Sequence, residues 1–529
     1  MNIKDSKIQI MNALRSYFEK DEYGEYIIAT ERQRPVFLMG PPGVGKTAIM
    51  EQIAAELGVG LLSYAMTQHT IATVLGQAYV TKKTYRGKEF DITEYTMSEI
   101  IASVYELIEE TGVKEGILFL DELNCVNDTL SPILLQFLQY KMVGRHTVPD
   151  GWLVVGAGNP VEYNSNAHDF DIVTWDRLKR IDVDPDLNIW KEYAFHKNLH
   201  PSIIAYLNMQ PLHFYRIEDD YPNKLFITGR SWDDLSEIMK LYDRLGIEID
   251  RNIISQYIQI KQICDNFTGF YTLYKDCEDI FRIQDIVDGY IEDDLLEIIS
   301  HASAQETKAL CSQLNSALSH LASEIMTETR ISREIEDFVN TFKDSFGEKT
   351  VPYELFDTII NEMSQKNEAE HKSGAKSKEK VSITKSTIRI LKQNRKVLKG
   401  EKKSDPVAAV SSIYEKYVNE LKEKVKNDTS IKFNNVIQLY TQMYDVGDEM
   451  EDFIRDLELN DHITDYIALY GCTAYDSIKD RLRIKHEVEA NRPAPEPVKI
   501  EPKHKQLYAD EDENDFTGLL KKDEKVQTW

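Results

Sequence analysis

"GPPGVGKT", Gly40–Thr47, decides how the first third of the chain is read. It satisfies the pattern G-x-x-x-x-G-K-[ST] through Gly40, Gly45, Lys46 and Thr47, with Pro41, Pro42, Gly43 and Val44 between them and Ala48 following. Glycines lack a Cβ, so the backbone N–H groups of such a loop can curl inward and approach phosphate oxygens. Lysine in this place reaches terminal phosphates, and the Thr47 hydroxyl completes the shell of a Mg2+ ion. The flanks agree. Val36–Met39 reads as a short buried strand, and "TAIMEQIAAELG" sets Ile49, Ile53 and Leu57 on one helical face. A helix beginning at the loop adds its positive end to the anion site. The stretch is a nucleoside-triphosphate site, and nothing in it selects adenine over guanine.

Four further stretches extend that site. "GILFLDELN", Gly116–Asn124, is an apolar strand whose tip carries Asp121 and Glu122. Asp121 suits a hold on Mg2+ together with Thr47, and Glu122 can orient and polarise the attacking water. "WLVVGAGNP", Trp152–Pro160, is a second apolar run ending in Asn159; beside the loop strand, that amide would sit near the γ-phosphate. "VTWDRLKRIDV", Val173–Val183, places Arg177 and Arg180 three apart at a helix end. Either could stabilise phosphoryl-transfer charge, or pair with Asp176 or Asp182. In "ITGRSWDDLSEIM", Ser231 and Asp234 resemble a capping box, which sets Arg230 at a helix start, able to point at phosphates.

Between residues 35 and 185 apolar runs alternate with amphipathic stretches, so an α/β fold with a parallel sheet flanked by helices is expected. The strand candidates are Val36–Met39, Leu61–Ala65, Ile117–Leu120, Leu153–Ala157 and Ile181–Val183. Beyond residue 185 the periods are helical, with no convincing strand. Leu310, Leu314, Ala317, Leu318, Leu321 and Ile325 form one core stripe. Expected divisions are an α/β nucleotide-binding domain at 1–185, a helical lid at 186–250, an α-helical domain at 251–364, a basic linker at 365–405, an α-helical segment at 406–490 and a disordered acidic tail at 491–529. The lysine-rich linker reads chiefly as a solvated connection, with an acidic partner or nucleic acid as its second reading.

Composition narrows the function. Across 529 residues, 63 basic side chains face 89 acidic ones, a net charge of −26 that opposes a general nucleic-acid binder or a protein of anionic membranes. The five cysteines are scattered and never paired as C-x-x-C, which fits a reducing compartment and no zinc site. The N-terminal stretch is amphipathic rather than a signal peptide, and no apolar run reaches membrane-spanning length. A cytoplasmic protein without membrane insertion is expected.

Taken in order, these pieces resemble the ATPase module of the AAA+ superfamily, and within it the MoxR-like branch. Gly40–Thr47 matches the Walker A motif, Ile117–Glu122 Walker B, Asn159 sensor 1, Arg177 the arginine finger and Arg230 sensor 2. The resemblance covers roughly residues 1–250. It implies ATP as the nucleotide, a helical lid, and a ring of copies, usually a hexamer, in which each ATP lies between one phosphate loop and the neighbour's finger. It further implies that residues 66–110 and the hairpin around Tyr140–Trp152 face a protein client, and that a von Willebrand factor A domain protein acts as companion. Two positions depart from the branch. Cys125 and Val126 follow Asn124 where an arginine is common, and Gly229 rather than proline precedes Arg230. Competing readings are a nucleic-acid-associated NTPase (a helicase loader or McrB-like motor) and a scaffold that binds ATP without turnover. The intact Asp121 and Glu122 oppose the scaffold.

Overall fold

The computed structural model describes residues 1–70, 73–74, 76–126, 131–220, 223–399, 405–444 and 447–490. Helix α1 (Ile3–Phe18) precedes strand β1 (Val36–Met39), the phosphate loop and helix α2 (Lys46–Leu57). Then follow β2 (Gly60–Ala65), a hairpin of β3 (Ala78–Tyr85) and β4 (Lys88–Tyr95), and helix α3 (Glu99–Thr111). Next come β5 (Gly116–Asp121), helix α4 (Ser131–Tyr140) and a second hairpin, β6 (Met142–Val143) with β7 (His146–Thr147). The half closes with β8 (Trp152–Gly158), the short helix α5 (Ile172–Trp175) and β9 (Lys179–Asp182).

The five expected strands form one parallel sheet in the order β2-β5-β8-β1-β9. Alternation along each strand divides its side chains between two faces. Val36, Leu38, Ile117, Phe119, Leu153 and Val155 pack with Ile10, Leu14, Ile49 and Ile53 of α1 and α2. On the opposite face Phe37, Met39, Leu118, Leu120 and Val154 pack with Ile100, Val104 and Leu107 of α3. With both faces covered, the strands read as continuous apolar runs.

The helical half departs from expectation in three places. A hairpin, β10 (Arg216–Asp220) with β11 (Asn223–Ile227), interrupts the lid between helices α6 (Leu187–His196), α7 (Pro201–Met209) and α8 (Gly229–Leu245). Both strands have five residues and three of those in β10 are acids, so the hairpin lacks the apolar density that marks a buried strand. Second, the lysine-rich stretch is not a linker. Most of its described part lies in α10 (Pro352–Ser373) and α11 (Lys378–Asn394), which pack on the 42-residue helix α9 (Ala304–Ser345). Val381, Ile383, Ile388 and Leu391 are buried there, each contributing about 1.5–3 kcal/mol, enough to order a stretch whose mean polarity is high. Third, the stretches 251–364 and 406–490 share a core: Phe267, Leu310 and Leu314 lie in one cluster with Ile437, Tyr440 and Phe453, and Trp232 and Leu235 of the lid join it. Residues 491–529, expected as an acidic tail, lie outside the described residues.

Among the described residues that helical body touches the α/β half in two places. It carries the lid, and the end of α10 reaches the β2 edge of the sheet, where Lys372 pairs with Glu110 at 2.6 Å. A Cβ on Gly374 would stand 3.1 Å from Leu61 Cβ, so the approach there is close. Among the described residues no helix is long and apolar enough to cross a membrane.

Candidate functional site

The loop after β1 is built by glycines that no other residue could replace at its two strained points. Gly43 has φ +75, and a Cβ there would lie 2.6 Å from Thr228 Oγ1 of the lid. Gly45 has φ +93 and forms the left-handed N-cap of α2. Lys46 opens α2 and is buried. Its Nζ donates to the carbonyls of Gly40 (2.7 Å) and Pro41 (3.0 Å) and to Asn159 Oδ1 (2.8 Å). Burial pushes the Lys46 ammonium down to about 8, against the pull of Asp121, and the positive Arg230 lowers it further. Two cations thus meet at a loop of inward backbone, with the Asp121 carboxylate near Lys46, which is an arrangement for a polyanion.

Strand order explains why the polar residues meet. β8 lies between β5 and β1, so Asp121, Asn159 and Gly40 emerge side by side at the carboxyl end of the sheet. Thr47 Oγ1 donates to Asp121 Oδ2 at 2.9 Å, bringing together the two expected Mg2+ ligands. Glu122 follows with φ +55, a left-handed conformation rare for a side-chain-bearing residue. Its Oε2 accepts from Thr67 Oγ1 at 2.6 Å. Asn124 is buried and its Nδ2 donates to the Asn159 carbonyl at 2.8 Å, tying the acid-bearing turn to the end of β8.

Of the three arginines, Arg230 stands in the first turn of α8, exposed but close enough to act on Lys46. The cap lies three residues earlier than expected: Thr228 and Ser231 form the capping box, and Asp234 takes no part in it. The lid is seated on the loop, because Tyr215 Oη donates to the Pro42 carbonyl at 3.0 Å and Gly229 abuts Trp190 and the Gly43 carbonyl. Arg180 is not at a helix end. It belongs to β9, donates from Nε to Asp182 Oδ1 at 2.8 Å and lies 4.6 Å from the Trp175 ring, so it is engaged within its own chain. Arg177 lies in the turn between α5 and β9, exposed and without an ion pair among the described residues. Its charge is felt by Asp171, whose carboxyl is held below its ordinary range chiefly by hydrogen bonds from Thr174.

Residues 35–178 match the family model of the AAA domain, dynein-related subfamily. The α/β half carries an AAA domain. A comparison with curated proteins finds no match. AAA domains in general hydrolyse ATP with Mg2+ and commonly assemble as rings. The matched span holds the phosphate loop, Asp121, Glu122, Asn159 and Arg177; Arg180, Arg230 and the helical half lie outside it.

Thr67 and Asn124 are AAA-domain residues that motif reading passes over, Thr67 because its contact spans fifty-five positions of sequence. Ala65 pairs with Asp121, so Thr67 draws Glu122 toward β2, away from the phosphate loop two strands to the other side. Thr67→Val removes a hydrogen bond to a charged group, and basal phosphate release should rise about tenfold, the equivalent of ~1.4 kcal/mol. A fall in steady-state turnover would mean that the bond aims the carboxylate instead.

Proposed function

We propose that this chain is a ring-forming ATPase, MoxR-like in the order of its parts, that hydrolyses ATP between adjacent copies to remodel or assemble a protein partner. The observation that carries the reading is where Arg177 sits. β9 runs parallel to β1 with Lys179 opposite Val36, so Arg177 precedes the start of β9 while the phosphate loop follows the end of β1. Four strand residues separate the two levels, roughly 13 Å of rise. An arginine at that end of the sheet is well placed for the loop of a neighbour and poorly placed for its own. A hexamer is the ring we expect.

In each copy Lys46 and Arg230 would hold the terminal phosphates of ATP, while Thr47 and Asp121 would hold Mg2+. The metal supplies charge neutralisation at the phosphates. Glu122 takes a proton from water, Asn159 orients that water, and the lid covers the loop through Tyr215 and Thr228. The five cysteines are free thiols, which suits a reducing cytoplasm.

A protein client is favoured by the two hairpins. Arg145 pairs with Glu94, and His146 lies 3.3 Å from the Tyr95 carbonyl, so the hairpins form one projection. It exposes Tyr79, Val80 (70%), Tyr85 (54%), Phe90 and Tyr95. Apolar side chains gathered on one projection mark a contact for another molecule. A von Willebrand factor A domain protein is the companion we expect to find with this ATPase.

The test begins at the loop. Lys46→Ala should weaken ATP binding at least about a hundredfold, the ~3 kcal/mol expected when one partner of a buried charge pair is removed. Equilibrium titration with a fluorescent ATP analogue reads it, and unaltered affinity would overturn the site.

A further inference from the structure

Helix α11 carries a feature that ATP hydrolysis does not use. Lys378, Lys385, Arg389 and Lys392, with Lys396 in the turn that follows, recur at intervals of seven, four, three and four residues. At 3.6 residues per turn these positions share one face. All five side chains are exposed. None makes an ion pair among the described residues, although the protein carries 89 acids against 63 bases. The one acid between residues 378 and 399, Glu379, is taken by Arg330, and nearby Asp357 is taken by Arg395. The adjoining face of the helix is buried through Val381, Thr384, Ile388 and Leu391. The stripe is therefore held rigidly and directed outward. Like charges three and four residues apart destabilise a helix, and an anionic partner would relieve that repulsion.

We propose that this face of α11 contacts the phosphate backbone of a nucleic acid. A protein partner fits less well. Protein interfaces are anchored by apolar and aromatic side chains and are depleted in lysine, whereas this face has four lysines, one arginine and no exposed large apolar side chain. A lysine-dominated stripe recognises charge rather than shape, and binding there is driven by release of counterions. From Lys385 to Lys396 the stripe extends roughly 16 Å, enough to follow several phosphates of one strand. The net charge of −26 does not forbid it. At physiological salt the screening length is about 8 Å, so distant carboxylates act weakly on this face. Helix α11 itself carries no aromatic residue for stacking, so the contact is independent of base sequence.

The experiment is fluorescence anisotropy of a labelled 20-nucleotide duplex and single strand against the full chain, between 50 and 200 mM salt. The expected result is binding to at least one of them that weakens steeply with salt. In the triple variant Lys385→Gln, Arg389→Gln, Lys392→Gln, affinity at 50 mM salt should fall at least about tenfold. The slope of log K against log salt should flatten by about 2–3 for duplex, close to 0.9 per lost contact. The companion variant Lys385→Arg, Arg389→Lys, Lys392→Arg should keep both. ATP hydrolysis should be the same in all three proteins, which separates this contact from the ATPase site and reports an intact fold. No binding at 50 mM salt, a triple variant that binds as the parent does, or capture of poly-glutamate in place of the oligonucleotides would overturn the proposal.

Discussion

Glu122→Gln is expected to bind ATP as the parent chain does and to hydrolyse it about 10²–10⁴-fold more slowly, the range for loss of a positioned proton acceptor. The substitution keeps size and hydrogen-bonding reach but cannot accept a proton. The geometry gives the two acids different partners. Asp121 accepts from Thr47 at 2.9 Å, the residue with which we propose it holds Mg2+. Glu122 turns away from the strand at φ +55, and a glutamine there should accept the same Thr67 hydroxyl. That backbone form costs on the order of 1–3 kcal/mol, persists only when its surroundings enforce it, and is common at functional sites. Steady-state phosphate release and nucleotide titration, run on the same preparation, check the prediction. Unchanged turnover would leave a protein that binds nucleotide for structural reasons and would remove Glu122 from the chemistry.

What could be read directly was what is local. The phosphate loop needs glycines at fixed offsets and a lysine at a helix start, so its pattern survives in one dimension. The five sheet strands were legible because both faces are covered, which makes each an unbroken apolar run. Asn159 depended on strand order: its role required β8 to lie beside β1, a fact of pairing that no single stretch contains. Arg180 was misplaced because "KRID" suits a helix end as well as a strand, and only the ladder to Val36–Met39 settles it. Thr228 lost the cap to Ser231 in the reading because both residues are good N-caps and the Ser231-to-Asp234 spacing imitates the box. In α11 the buried positions were present but diluted by lysine, so composition outweighed period. Thr67 and Asn124 gave no signal, since each acts through a contact closed only by the fold.

Arg177→Ala should retain ATP binding and lose about 10³–10⁵ of its turnover, the span attributed to an arginine supplied to phosphoryl transfer by a neighbour. Alone, such a loss would not distinguish a residue acting within its chain from one acting on the next. Mixing does. Lys46→Ala copies lack a competent loop but carry Arg177, and Arg177→Ala copies are the reverse. In a head-to-tail ring assembled at random from equal amounts, about a quarter of the interfaces join an intact loop to an intact arginine. The mixture of two inactive proteins should therefore recover up to about a quarter of the parent rate per site, and lose it on dilution as the rings come apart. Arg180→Ala serves as the control, because its guanidinium is already engaged by Asp182 and Trp175 and its removal should leave the rate within about twofold. Failure of the mixture to recover, with both variants still assembling, would mean that Arg177 serves no neighbouring site, and the shared-site mechanism would fall with it.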